Sequence, residues 1–144
     1  MDVDNLTPVE VDTLIKSAKY MQDAYPTDIP LGKINDQFDL LDDTNNIDYK
    51  FRRYRHPIDD TRFSISIRLK ENNAFLVRLD IQNGTHKNPD GTKIQQNHIH
   101  IYDNGGGPRK DDYARPLPPV FNGHVHSIFA AIEMFFIEYK ITTI

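Results

Sequence analysis

The sequence predicts an α+β fold, an antiparallel sheet of about four strands with an N-terminal and a C-terminal helix packed on one face. Two observations carry this. Apolar residues recur at helical spacing near both ends, at Val11, Leu14, Ile15 and Ala18 and again at Val125, Ile128, Phe129, Ile132 and Phe136. Between them, from Tyr49 to Asp103, the apolar period is two. Each strand is then apolar on one side and polar on the other, which leaves the helices a single face to cover.

The first helix has a start signal in "LTPVEVDTLIKSAKYMQ": Thr7 can cap, Pro8 suits the first helical position and Glu10 completes a capping box. The prolines and glycine of "YPTDIPLG" end it. Residues 34–48 are acidic and read as loop with a short turn or strand. "YKFRRYRHP" is a strand near the sheet edge, followed by a turn at "PIDD". "RFSISIRLK" and "AFLVRLDIQ" flank "ENN" as a hairpin. With Leu69 opposite Phe75, the sets Phe63, Ile65, Ile67 and Phe75, Val77, Leu79, Ile81 share the buried face. "NPDG" has the composition of a type I turn, and "NHIHIYD" is a further strand. "DNGGGPRKDDYARPLPP" reads as a long mobile connection before the last helix, "NGHVHSIFAAIEMFFIEYK".

The 144 residues are read as one domain, 1–144. The chain has no cysteine, which excludes disulfides, thiol catalysis and cysteine-ligated zinc. The acidic N-terminus lacks the apolar segment of a signal peptide. No apolar run approaches the ~18 residues of a membrane span, so a cytoplasmic protein is expected. Residues 1–48 hold 11 acids against 3 bases, and residues 49–144 hold 14 bases against 10 acids. An ordinary solvated surface is the commoner reading of such a contrast, and the sharper one is a basic face on the second part that attracts phosphates or an acidic partner.

The polar sheet face should carry Arg68, Arg78, Asp80, His98, His100 and Tyr102. Residues i and i+2 on a strand set their side chains roughly 6.5–7 Å apart on one face. Two imidazoles so placed can share a metal, or one can give a proton while the other takes one. The ordinary alternative is that they are half-exposed sheet residues packed on Tyr102 and Arg78. His86, Asp80 and Asp103 are the candidates to complete a metal site, but no spacing makes a ligand set, so no metal or other cofactor is predicted. His124 and His126 read as helix-start residues.

Arg52, Arg53 and Arg55 interleave with Phe51 and Tyr54, as phosphate contact and base stacking require, or as a charged edge strand would. The triple glycine before Arg109 and Lys110 lacks the Walker A pattern, and there is no GxSxG elbow.

"LTPVEVDTLI", "LVRLDI", "THKNPDG", "HIHIYD" and the aromatic-rich last helix, in that order, resemble an uncharacterised domain family of small proteins from Gram-positive bacteria, their phages and mobile elements. The resemblance spans nearly the whole chain and implies a compact cytoplasmic domain in an accessory setting. It brings no activity.

On chemistry alone, the polar face is expected to bind or act on RNA, as a metal-independent endoribonuclease toxin would. His98 and His100 would be the acid and base, with His86 joining from its loop. Arg68 and Arg78 would hold the phosphate, Tyr102 would stack or hydrogen-bond, and Asp80 would take part in binding. The competing expectation is a non-enzymatic protein-binding module, a phage-type inhibitor or antitoxin-like partner, that uses segment 34–48.

Overall fold

The structure is a computed structural model that describes every residue except Ile29 and Gly106. Along the chain run α1 (Pro8–Lys16), β1 (Lys19–Met21), β2 (Ile34–Asp42), β3 (Ile47–Arg55), β4 (Phe63–Leu69) and β5 (Phe75–Ile81). Then follow β6 (His86–Lys87), β7 (Lys93–Ile94), β8 (His98–Ile101), β9 (Ala114–Pro116), a 3₁₀ turn (Pro119–Phe121), α2 (Ile128–Glu138) and β10 (Ile141–Thr142).

The main sheet has eight strands in the order β10-β1-β2-β3-β4-β5-β8-β9, and β6 and β7 form a separate two-stranded ribbon. The sheet is mixed, because β1 and β10 pair in parallel. This corrects the expected fold of about four antiparallel strands between flanking helices: the molecule is mostly sheet, with two short helices. The added strands escaped the periodicity for two reasons. Strands of two or three residues, such as β1, β9 and β10, are too short to display a period. β2 is rich in Asp and Asn, which strands disfavour. Pairing overrides that composition, since Asp36 stands directly opposite Arg53 and binds it through both oxygens, at 2.7 and 3.0 Å.

The expected capping box closes α1, with Glu10 N donating to Thr7 Oγ1 (3.1 Å) and Thr7 N to Glu10 Oε1 (3.0 Å). The helix is shorter than expected. It stops at Lys16, and Lys19 begins a strand with its ammonium fully buried, donating to Ile15 O, Ser17 O and Tyr139 O. α2 likewise starts later, at Ile128, because Ser127 accepts from Ala130 N. His124 and His126 are exposed before it.

Ile67 and Val77 face each other, fully buried, in the expected β4–β5 hairpin. Residues of the same alternation on β3, Tyr49 and Phe51, join them, and Phe51 meets Phe135 and Phe136 of α2 with ring centroids 5.9 and 5.1 Å apart. Val11 and Leu14 of α1 enter the same core. β3 is central rather than at an edge, and it sends Arg53 and Arg55 into this half while Arg52 lies on the other face. The hairpin register shifts between Ile67 and Arg68, so Phe75 stands opposite Arg68 instead of Leu69. The bulge turns the Phe75 ring out of the core and onto the polar face.

Among the described residues no helix is long and apolar enough to cross a membrane.

Candidate functional site

The alternation that buries Ile65, Ile67, Val77, Leu79 and Ile99 presents the opposite set in registered rows. One row runs Arg52, Ser66, Arg78, His100 and Ala114; the next runs Tyr54, Ser64, Asp80, His98 and Pro116. The half of this face over β5 and β8 is covered, and the half over β3 and β4 is more open, with Arg52, Tyr54, Ser64 and Arg68 partly exposed and Ser66 buried.

The cover is the segment between β5 and β8 together with the 103–116 connection. The "NPDG" turn forms as expected, with Gly91 N donating to Asn88 O at 2.8 Å, and it joins β6 to β7. Asn88 is buried and mimics a strand partner for Ala114: Ala114 N donates to Asn88 Oδ1 (2.7 Å), and Asn88 Nδ2 donates to Ala114 O (3.0 Å). His86 Nε2 lies 2.7 Å from Asp112 O. The connection that reads as mobile is thereby fastened to the sheet at its C-terminal half. Gly106 of its triple glycine, and Ile29 of the "YPTDIPLG" turn, lie outside the described residues.

Under this cover His86, His98 and His100 meet. Ring centroids are 4.9 Å apart for His98 and His100, 4.8 Å for His86 and His100, and 5.8 Å for His86 and His98. His98 and His100 are only 3% and 1% exposed, not the half-exposed residues that a polar face suggests. Each fixes its ring through Nδ1 on a carbonyl, His98 on Gln95 O (2.9 Å) and His100 on Asp111 O (2.7 Å). A carbonyl only accepts, so both Nδ1 atoms carry a proton. Both Nε2 atoms then turn to one carboxylate oxygen, Asp80 Oδ2, at 3.5 and 3.3 Å. His100 Nε2 is buried and completes no hydrogen bond.

Asp80 is held from the other side as well. Ser64 Oγ donates to Oδ1 (2.9 Å) and Arg78 Nε to Oδ2 (3.2 Å), while Arg78 also reaches Asp111 Oδ2 at 2.6 Å. Burial alone would raise the Asp80 pKa, but contacts from His100, His98, Arg78 and Ser64 outweigh it and hold the carboxyl well below the usual range. For His98 burial works toward a lower value, and the hydrogen bonds to Asp80 and Gln95 reverse it, leaving the pKa raised.

The open half carries a different chemistry. Arg68 lies 4.2 Å above the Phe75 ring and Arg78 lies 4.9 Å from the same ring. Arg52 sits 5.4 Å over Tyr54 and is held by Asn35 Oδ1. Arg78 is paired with acids, but among the described residues Arg68 has no ion pair, and its Nε is buried without a hydrogen-bond partner. Burial, with Arg52 and Arg78 nearby, pushes the Arg68 pKa down.

Of the predicted site residues, His86, His98, His100, Asp80 and Arg78 form one cluster and Arg68 borders it through Phe75. Tyr102 does not join. It is buried, its hydroxyl donating to Val3 O (3.0 Å) and accepting from Leu6 N (3.3 Å). Asp111, Asn88, Ser64 and Phe75 are participants that sequence reasoning missed. Only Ser64 had a signal, its place in the alternation; Phe75 was hidden by the bulge, and Asp111 and Asn88 by lying in irregular chain. Within segment 34–48, Asp36 pairs with Arg53, Asp39 lies 3.6 Å from Lys70, and Asp42 accepts from Ser17, Asn45 and Tyr49. A cavity of about 570 Å³ is lined by Val11, Ile15, Ile101, Tyr102 and Tyr139 and lacks the histidine cluster.

No curated protein and no solved structure matches the chain. A family model does, over residues 6–141, and its description is a family of unknown function, DUF6978. The chain belongs to that family.

Proposed function

We propose that this domain binds a single-stranded phosphodiester, RNA in the first instance, on the open half of its polar sheet face. The observation that supports this is Arg68. Arg68 is partly exposed beside Arg52 and Arg78 and makes no ion pair among the described residues, and Asp111, whose charge acts on it, is already bound by Arg78, so the guanidinium has room for a further counter-charge. A phosphate oxygen supplies it, and guanidiniums bind phosphate through parallel N–H groups. Phe75 and Tyr54 stand on the same face as the arginines, and exposed parts of aromatic rings offer base stacking, which is tolerant of sequence.

The proposal is binding and not cleavage. A general acid or base must reach the substrate, and His98 and His100 are buried, with one nitrogen of each committed to a carbonyl. The protein-partner alternative draws on segment 34–48, whose acids Asp36, Asp39 and Asp42 already have internal partners.

Fluorescence anisotropy with a labelled single-stranded RNA of mixed sequence tests this, with a matched duplex and a matched DNA strand as comparisons. The expected result is binding to single strands at low salt and a loss of about tenfold in affinity for Arg68→Ala, equivalent to roughly 1.4 kcal/mol. Wild type that binds none of the three, or Arg68→Ala that binds as wild type does, would defeat the proposal.

A further inference from the structure

We propose that Asp80, His98 and His100 form a binding site for one divalent transition-metal ion of zinc's class. The sequence offers two HxH pairs, with Asp80 among the candidates to complete a site but no ligand set at a recognisable spacing. The fold supplies the third from the neighbouring strand, because Asp80 and His98 are directly opposed in the β5–β8 register. One potential ligand atom from each of the three residues lies within 4.8 Å of the other two.

The distances suit such an ion. With bonds of about 2.0–2.1 Å to nitrogen and oxygen, ligand atoms at the corners of a tetrahedron stand roughly 3.3–3.4 Å apart. Asp80 Oδ2 is 3.3 Å from His100 Nε2 and 3.5 Å from His98 Nε2. A metal-binding histidine typically gives its other N–H to a carbonyl or carboxylate, which fixes tautomer and ring direction. Here both do, to Gln95 O and Asp111 O. The carboxylate is oriented in turn by Ser64 and Arg78.

The second observation is the orphaned nitrogen. With Nδ1 protonated, a neutral imidazole aims its Nε2 lone pair outward, and at His100 that atom is buried, faces Asp80, and completes no hydrogen bond. At His98 a proton on Nε2 can be given to Asp80, whereas His100 Nε2 is left without a partner. Protonating both rings would place two buried cations against one carboxylate oxygen, whereas one divalent ion takes both lone pairs and that oxygen together. His86 closes the group from the cover with its ring against the other two, and its Nε2 is occupied by Asp112 O. Imidazole with carboxylate favours zinc, iron, cobalt and nickel over magnesium or calcium, which prefer all-oxygen sites.

The test uses the full chain without a histidine tag, stripped by chelator and titrated with Zn²⁺ alone and with Co²⁺ alone. The expected result is one equivalent bound, a rise in the wild-type Tm with Zn²⁺, and a Co²⁺ visible spectrum of low-coordinate type. Asp80→Asn and His98→Ala should each weaken binding by at least the 10- to 100-fold typical of losing a partner that merely supports a ligand. The double variant His124→Ala/His126→Ala removes the exposed HxH pair and should keep the full equivalent. A wild-type Tm that Zn²⁺ leaves unchanged would overturn the proposal even if His98→Ala fails to fold. So would an equivalent that survives in folded Asp80→Asn, or one that disappears with His124 and His126.

Discussion

Lys19 shows how much one residue can organise without touching the site. Its ammonium is fully buried, close to the C-terminal ends of both helices, with Ile15 O, Ser17 O and Tyr139 O as acceptors. Carbonyls at a helix end have no intrahelical partner, and a cation there satisfies them and the helix dipole together. Burial lowers the Lys19 pKa from 10.5 to about 8, against the nearby Asp42 charge, which raises it. The folded pKa is thus below the unfolded one. Between about pH 8 and 10.5 the unfolded chain holds more protons, so this group makes stability rise with pH. Tyr49 and Tyr139, whose burial raises their pKa, act oppositely once unfolded tyrosine begins to ionise near pH 10. Comparison with Lys19→Met isolates the lysine. In urea unfolding, wild type should gain on the variant by on the order of 2 kcal/mol between pH 7.5 and 10. A difference independent of pH would mean that Lys19 is not held as a buried ammonium.

At the scale of elements, the cover over the histidines depends on few contacts. β6 and β7 are a ribbon of two residues per strand, and Asn88 is their buried tie to β9. Asn88→Ala strands the Ala114 N–H and C=O, and an unsatisfied buried group costs roughly 1–3 kcal/mol. The variant should lose that much by urea unfolding. Its amide exchange should also speed up selectively in 86–94 and 111–116, whereas a uniform change along the chain would refute a local tie. The Thr7 capping box is a smaller, separate unit, and Thr7→Ala should lower stability by about 1 kcal/mol in the same measurement.

The capping box, the β4–β5 hairpin, the "NPDG" turn and the common face of Asp80, His98 and His100 were legible because each depends on local residue types or on strict alternation. The short strands β1, β9 and β10 were not, since two or three residues carry no period, and β2 was disguised by acids whose partners lie on other elements. The bulge that turns Phe75 outward breaks the alternation on which the hairpin reading rested. Burial of the histidines was equally invisible. It comes from chain that looks like loop but is tied down by Asn88 and by the Asp111 and Asp112 carbonyls.

For the whole molecule, the sheet separates three environments. One face is the aromatic and aliphatic core under the two helices. The other divides into a covered half, where Asp80, Asp111 and Arg78 balance charge around the histidines, and an open half, where Arg52 and Arg68 make no ion pair among the described residues. The charge contrast along the chain, 11 acids and 3 bases before Tyr49 against 14 bases and 10 acids after it, is partly cancelled in space. Asp36 and Asp39 cross to Arg53 and Lys70, while Arg68 makes no ion pair among the described residues. The salt dependence of RNA binding addresses that surplus most directly. A cation that neutralises a phosphate releases a counterion, so deleting one such cation should flatten the plot of log affinity against log salt by about 1. Arg68→Ala should reduce the slope by about that amount, and Gln37→Ala, an uncharged change on the same face, should leave it as it is. Equal slopes for wild type and Arg68→Ala would contradict a phosphate at Arg68.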